Sequence, residues 1–237
     1  MSLEHNIKHV RALIDAAALS AGRDPSEITL VAATKVQTSD TIRAAVAAGI
    51  TVCGENRVQE LTAHLDDNAY EGAQVHFIGH LQTNKVKYVV GRVDLIHSVD
   101  STRLLETIDQ RAEKLGLIQD ILLEVNVGSE ESKGGCPLEQ VKELAAQAVQ
   151  ASHVRLRGLM CIPPIAVRPE DNRVYFEKMR QLFVDIKTQM GDNENTSIDC
   201  LSMGMSGDFE EAVRCGATHV RVGTALFGAR PPMKPQI

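Results

Sequence analysis

A short apolar run followed by a helix-forming stretch recurs eight times along the chain, and this rhythm constrains the fold more than any other feature. The runs are ITLVAA (28–33), ITVCG (50–54), VHFIG (75–79), DLIHSV (94–99), DILLEVNV (120–127), VRLRGLM (154–160), IDCLSM (198–203) and HVRVG (219–223). Helical stretches follow them: TSDTIRAAVAAG (38–49), segments from about Val58, Thr83, Ser101, Pro137 and Pro169, then DFEEAVRCG (208–216) and TALFGA (224–229). The runs are nearly continuous in apolar residues rather than alternating in and out, the pattern of a parallel sheet covered by helices on its faces. Eight units in 237 residues predict a single-domain (β/α)8 TIM barrel, whose last strand pairs with its first so that no edge is exposed. An open doubly wound sheet is the alternative, though no G-x-G-x-x-G follows the first strand to make it a dinucleotide site. Ahead of the first unit, Ile7, Val10, Leu13, Ile14 and Ala17 form one stripe of an amphipathic helix over about Leu3 to Ala21, closed by Gly22. The expected layout is one domain over 1–237, with an N-terminal helix in 1–24 and a short tail over 231–237.

Composition removes several function classes. The chain is 43% hydrophobic and 24% charged, a globular balance. Its net charge of −6 is not gathered into blocks, and aromatics are 3% with no Trp, so neither a phosphate-backbone footprint nor a stacking platform for nucleic acid is supplied. The N-terminus lacks a basic flank followed by an apolar run, and no apolar stretch approaches the ~20 residues of a membrane span. Five cysteines, an odd number without a C-x-x-C pair or a metal-ligand spacing, suit a reduced, cytoplasmic protein without a bound metal.

In a barrel the chemistry sits where the strands end. That rule selects Lys35, Glu55 and Asn56, Gly79 and His80, Asp100, Asn126, Met160 and Cys161, Ser202 to Ser206, and Gly223 with Thr224. Lys35 ends an otherwise apolar strand, where partial desolvation lowers an amine toward nucleophilic, Schiff-base competence; a rim lysine with its head in water is the plainer alternative. The loops LSMGMSGD (201–208) and RVGTALFG (221–228) follow the last two strands, where barrels build phosphate sites from backbone N–H groups. Gly204, Gly207 and Gly223 permit close backbone approach, and Ser202, Ser206 and Thr224 add hydroxyls. Arg221 alternates toward the barrel interior and needs a partner, either a strand carboxylate such as Glu124 or a ligand. His76, His97 and His219 read as satisfied structural histidines, and Cys161, Met203 and Met205 as packing. A strand-end lysine with a two-loop phosphate site suits a phosphorylated aldehyde: pyridoxal 5′-phosphate (PLP), or the substrate of a Schiff-base sugar-phosphate aldolase.

The motifs VAATK (31–35), GENRVQE (54–60), HFIGHLQTNK (76–85), RLRGLM (155–160), LSMGMSGD (201–208) and VRVGTALFGAR (220–230) together resemble the pyridoxal phosphate homeostasis protein family over nearly the whole chain. The resemblance implies a barrel like the N-terminal domain of alanine racemase, with PLP as an internal aldimine on Lys35. It implies that Ser202, Gly204, Met205, Ser206, Gly223 and Thr224 hold the phosphate, that Asn56 and Met160 line the ring, and that Arg221 faces the pyridine nitrogen. An arginine there donates a hydrogen bond without protonating the ring, which weakens it as an electron sink. A racemase also needs a second base, and the three tyrosines, Tyr70, Tyr88 and Tyr175, fall in expected helices or linkers while the sequence stops soon after the eighth unit. The implied role is a carrier or regulator in vitamin B6 and amino-acid balance, with apo PLP enzymes as recipients and amino acids as further ligands; a weak racemase is the alternative. Lys133 and Lys234 are candidate transit sites for PLP. A monomer or weak homodimer is expected.

Overall fold

The computed structural model describes residues 2–130, 134–191 and 195–228. Its strands are β1 (Thr29–Ala33), β2 (Val52–Glu55), β3 (Gln74–Phe77), β4 (Leu95–Val99), β5 (Gln119–Asn126), β6 (Cys136–Pro137), β7 (Val154–Cys161), β8 (Thr196–Ser202) and β9 (His219–Val222). The α-helices are α1 (Leu3–Ser20), α2 (Ser39–Ala47), α3 (Val58–Asp66), α4 (Thr102–Leu115), α5 (Val141–Gln150), α6 (Arg173–Met190), α7 (Phe209–Arg214) and α8 (Thr224–Phe227). Eight parallel strands close in the order β1-β2-β3-β4-β5-β7-β8-β9, with β9 returning to β1 through Val31 opposite Arg221. The (β/α)8 barrel is therefore the fold, and the open sheet is excluded because β1 is paired on both sides.

Three local expectations change. The stretch from Thr83 is a 3-10 helix over Thr83–Tyr88 rather than an α-helix. The two-residue β6 adds a parallel partner to the end of β5, and the helix expected at Pro137 begins as a 3-10 turn before α5. The helix near Pro169 likewise opens with a 3-10 turn, Pro169–Asn172, ahead of α6.

Helix α1 is capped by the Ser2 hydroxyl on the His5 amide, and Gly22 adopts φ +69° just beyond its end. Its buried stripe of Ile7, Val10, Ile14 and Ala17 packs on α7 and α8. Asn6 donates to the Leu226 carbonyl at 2.8 Å, which ties α1 to α8. Most buried apolar side chains lie between strands and helices. Among the described residues, two small apolar groups stand apart from the main core: Val31, Ala33, Val52 and Ile78, and Leu95, Leu122, Met160 and Cys200. A track of polar side chains fills the space left. At the end where strands begin, Arg155 and Arg157 pair with Asp120, and Arg157 also with Asp199, beside a cavity of about 1240 Å³.

Candidate functional site at the carboxyl ends of the strands

Because all eight strands run the same way, the residues that follow them converge on one rim. Lys35 is half-buried there, directly after β1, and the positions beside it are held from GENRVQE. The Thr34 hydroxyl donates to Glu55 Oε1 at 2.6 Å, and the Val36 amide donates to Glu60 Oε2 at 2.8 Å. Glu55 is fully buried, and the same oxygen accepts from the Tyr70 hydroxyl and bonds His64 Nδ1. Val36 sits at φ +61°, a left-handed conformation that a β-branched residue avoids. The turn presenting Lys35 is thus strained and clamped on both sides. Replacing Val36 with Gly is expected to raise stability by up to about 1 kcal/mol, since relief of left-handed strain exceeds the entropy cost of glycine. A chemical-denaturation midpoint below that of the wild type would contradict it.

Asn56 continues β2 onto the rim, and its Oδ1 is buried without a protein partner among the described residues. Gly79, after β3, approaches so closely that a Cβ there would overlap the Asn56 carbonyl oxygen. Opposite them lie the two glycine loops. Gly204 has φ +90°, and a Cβ on it would come within 2.5 Å of the Ala212 Cβ, so only glycine lets this loop lie on α7. The Arg221 amide donates to the Gly204 carbonyl, and the Ser206 hydroxyl accepts from the amides of Gly223 (3.2 Å) and Ala225 (3.3 Å). An oxygen already seated on two amides at the start of α8, beside the exposed Thr224, marks where a phosphate oxygen would be received.

Two of the expected phosphate residues have protein partners in this structure. The Ser202 side chain is fully buried inside the barrel, 2.6 Å from Arg221 and 3.0 Å from His97 Nδ1. The Met205 amide donates to Asp208 Oδ1 at 2.7 Å, which assigns it to loop shape; Asp208 is held in turn by Asn172. Met160 is fully buried among Leu95, Leu122 and Cys200, one layer beneath the rim. Lys133 and Lys234 lie outside the described residues.

Arg221 is buried and donates to Ser202 Oγ and to the Cys161 carbonyl at 2.8 Å. Burial lowers its pKa, while Glu124 and Asp208 act against that, and a guanidinium stays charged regardless. Its direct partners are thus a hydroxyl and a carbonyl, with the Glu124 carboxylate acting on it electrostatically. Burial and the nearby Asp100 raise the Glu124 carboxyl. Burial also pushes the thiols of Cys53, Cys161 and Cys200 up to about 12, so none of these is a thiolate nucleophile at neutral pH.

The histidines are structural in the sense expected, but they form one connected set. His97 Nε2 meets His76 Nδ1 at 3.0 Å, and the His219 ring lies 6.0 Å from that of His76. Burial depresses all three: His76 to about 3, His219 to about 4, and His97 well below its usual value. An unfolded chain protonates these rings near pH 6.5 while the folded one does not, so stability is complete above pH 6.5 and falls as the pH drops toward 4. With three rings the slope reaches about 4 kcal/mol per pH unit. Urea titrations at pH 7.5, 6 and 5 are expected to show it; a flat profile across this window would show that the rings titrate normally.

Sequence reasoning missed the clamp on the Lys35 turn and the link from His97 to Ser202. The available signal for the second was alternation: His97 is two residues from Leu95 on β4 and Ser202 two from Cys200 on β8, so each shares a face with a residue of one apolar interior group.

The family model for the alanine racemase N-terminal domain matches residues 2–231. A pyridoxal phosphate homeostasis protein of Aquifex aeolicus is 44% identical over 230 residues, which span 97% of this chain and 99% of that one. This chain belongs to the pyridoxal phosphate homeostasis protein family. The family member from Escherichia coli K12 is 41% identical across 96% of this chain and 97% of its own. Among solved structures, PipY of Synechococcus elongatus with PLP bound superposes with a TM-score of 0.83 at 32% identity, covering 96% of this chain and all of that one. Among the described residues, no helix of this family member is long and apolar enough to cross a membrane.

Proposed function

We propose that this chain binds PLP at the rim where its strands end and serves as an intracellular, cytoplasmic store and donor of the cofactor. The observation that carries the reading is the convergence of an amine, an oriented arginine and a two-loop oxygen cradle at one rim of a fold that, in PipY, was solved with PLP bound. When bound, PLP supplies an aldehyde able to link covalently to an amine. Lys35 holds it through its amine, while Ser206, Gly223 and Thr224 hold the phosphate on a loop that Gly204 and Met205 shape. Asn56 offers its unpartnered Oδ1 beside the ring, Arg221 meets the ring nitrogen as a donor, and Met160 packs beneath. Five cysteines, none in a disulfide, suit a reduced compartment.

The chain acts as a carrier rather than an efficient racemase or aldolase. Tyr70 is buried and committed to Glu55, while Tyr88 and Tyr175 lie on the helical layer, so no tyrosine is placed as a second base at the rim. Apo PLP enzymes are the recipients, amino acids are further ligands, and a monomer or weak homodimer is the working form. Purified protein is expected to show visible absorption from linked PLP and to reactivate an added apo-enzyme. Colourless protein that takes up no added PLP would overturn the reading. Turnover of added alanine that disappears in Lys35→Ala would favour the racemase instead.

A further inference from the structure

Polar side chains are costly inside a barrel, and this one carries a connected row of them from one end to the other. Arg221 donates to Ser202 Oγ at 2.6 Å, Ser202 Oγ lies 3.0 Å from His97 Nδ1, and His97 Nε2 lies 3.0 Å from His76 Nδ1. Ser202, His97 and His76 are each 3% exposed or less, and His76 borders the cavity at the opposite end. The row crosses from β9 to β8 to β4 to β3, so no single strand could supply it.

Its direction follows from one fact: a guanidinium has no acceptor. Arg221 must donate to Ser202. Among the described residues the Ser202 hydroxyl meets only Arg221 and His97, so its own proton goes to His97 Nδ1. His97 is then protonated at Nε2 and donates to His76 Nδ1, which leaves His76 protonated at Nε2. Every donor in the row points away from Arg221. The reverse order would leave the Ser202 proton buried without an acceptor, a loss that buried polar groups rarely bear.

Resting on the PLP reading above, we propose that His97 is a positioning residue for the cofactor: by accepting the Ser202 proton it turns that oxygen toward Arg221 and so sets the guanidinium against the ring nitrogen. The second tether, from Arg221 to the Cys161 carbonyl, fixes one end of the guanidinium fork; the His97–Ser202 pair fixes the other. Without His97 the hydroxyl turns to a different acceptor, and the fork pivots on Cys161 alone. The protein thereby controls the hydrogen bond at the ring nitrogen from a residue that never touches the cofactor.

The test uses the full chain loaded with PLP labelled with 15N in the ring. His97→Leu keeps the volume and removes the acceptor; Ser202→Ala removes the hydroxyl itself; His97→Asn offers an amide oxygen near the lost Nδ1. Thermal melts establish which variants are folded. The Leu and Ala variants are expected to share a shifted ring 15N resonance and a displaced visible maximum, and to lose PLP on dilution roughly tenfold faster. Asn is expected to restore the wild-type resonance. A role limited to core stability would lower the melting temperature without moving the ring signal in the folded, loaded protein. Should His97→Leu not fold, Ser202→Ala carries the same prediction alone. Wild-type protein that loads PLP, with folded variants whose ring resonance is unchanged, overturns this proposal only; wild-type protein that loads none overturns the PLP reading and this proposal with it.

Discussion

Lys35→Ala is expected to abolish the visible absorption of the loaded protein and to weaken PLP retention by roughly a hundredfold or more, because the proposed covalent link to the cofactor runs through this amine. The side chain is half-buried at the end of β1. The apo-protein should therefore melt close to wild type, separating loss of binding from loss of fold. In the wild type, PLP at a hundred times its dissociation constant should add about 2.7 kcal/mol of stability, a rise of about 5–10 °C in melting temperature for a chain of this size. The variant should lose that increment. Lys35→Arg should behave like the alanine variant, since a guanidinium stays protonated and is no nucleophile. Borohydride reduction followed by peptide mapping checks the assignment directly: an adduct on a different lysine would remove Lys35 from its role.

Gly79→Ala is expected to damage stability and binding together. A methyl group there would overlap the Asn56 carbonyl oxygen, a backbone atom that cannot swing aside. Strand β2 would have to move away from β3 where the Ile78 amide bonds the Glu55 carbonyl at 2.8 Å. Forced overpacking of this kind costs about 3 kcal/mol, or about 6–12 °C in melting temperature. The same movement displaces Asn56 from the ring side of the site and loosens Glu55, which helps to clamp the Lys35 turn. Gly207→Ala is the control for stability, because a Cβ there meets nothing within 4 Å; it should change the melting temperature little. A Gly79→Ala protein that melts and binds like wild type would show that the β2–β3 rim is loosely packed.

Much of this was legible in the chain. Eight apolar runs became the eight barrel strands because a strand covered by helices on one face and enclosed on the other is dominated by apolar residues. The position of Lys35, Ser206 and Gly223 at one rim followed from place alone, since residues after parallel strands arrive at the same end. The 3-10 form of the stretch from Thr83 was not legible, because i+3 and i+4 bonding compete closely over so short a stretch. The protein partners of Ser202 were not legible either. It lies in the phosphate-loop motif, but its neighbour across the barrel is His97, 105 residues away in the chain.

The sequence by itself determined the barrel, the rim that carries chemistry, and the residue types present there, because these depend on periodicity and on the order of residues along the chain. Only the tertiary structure decided which side chains meet across the interior: Glu60 with the Val36 amide, Ser206 with the amides of Gly223 and Ala225, and His97 with Ser202. Those pairings follow from strand register and closure, which bring together positions that no local pattern relates.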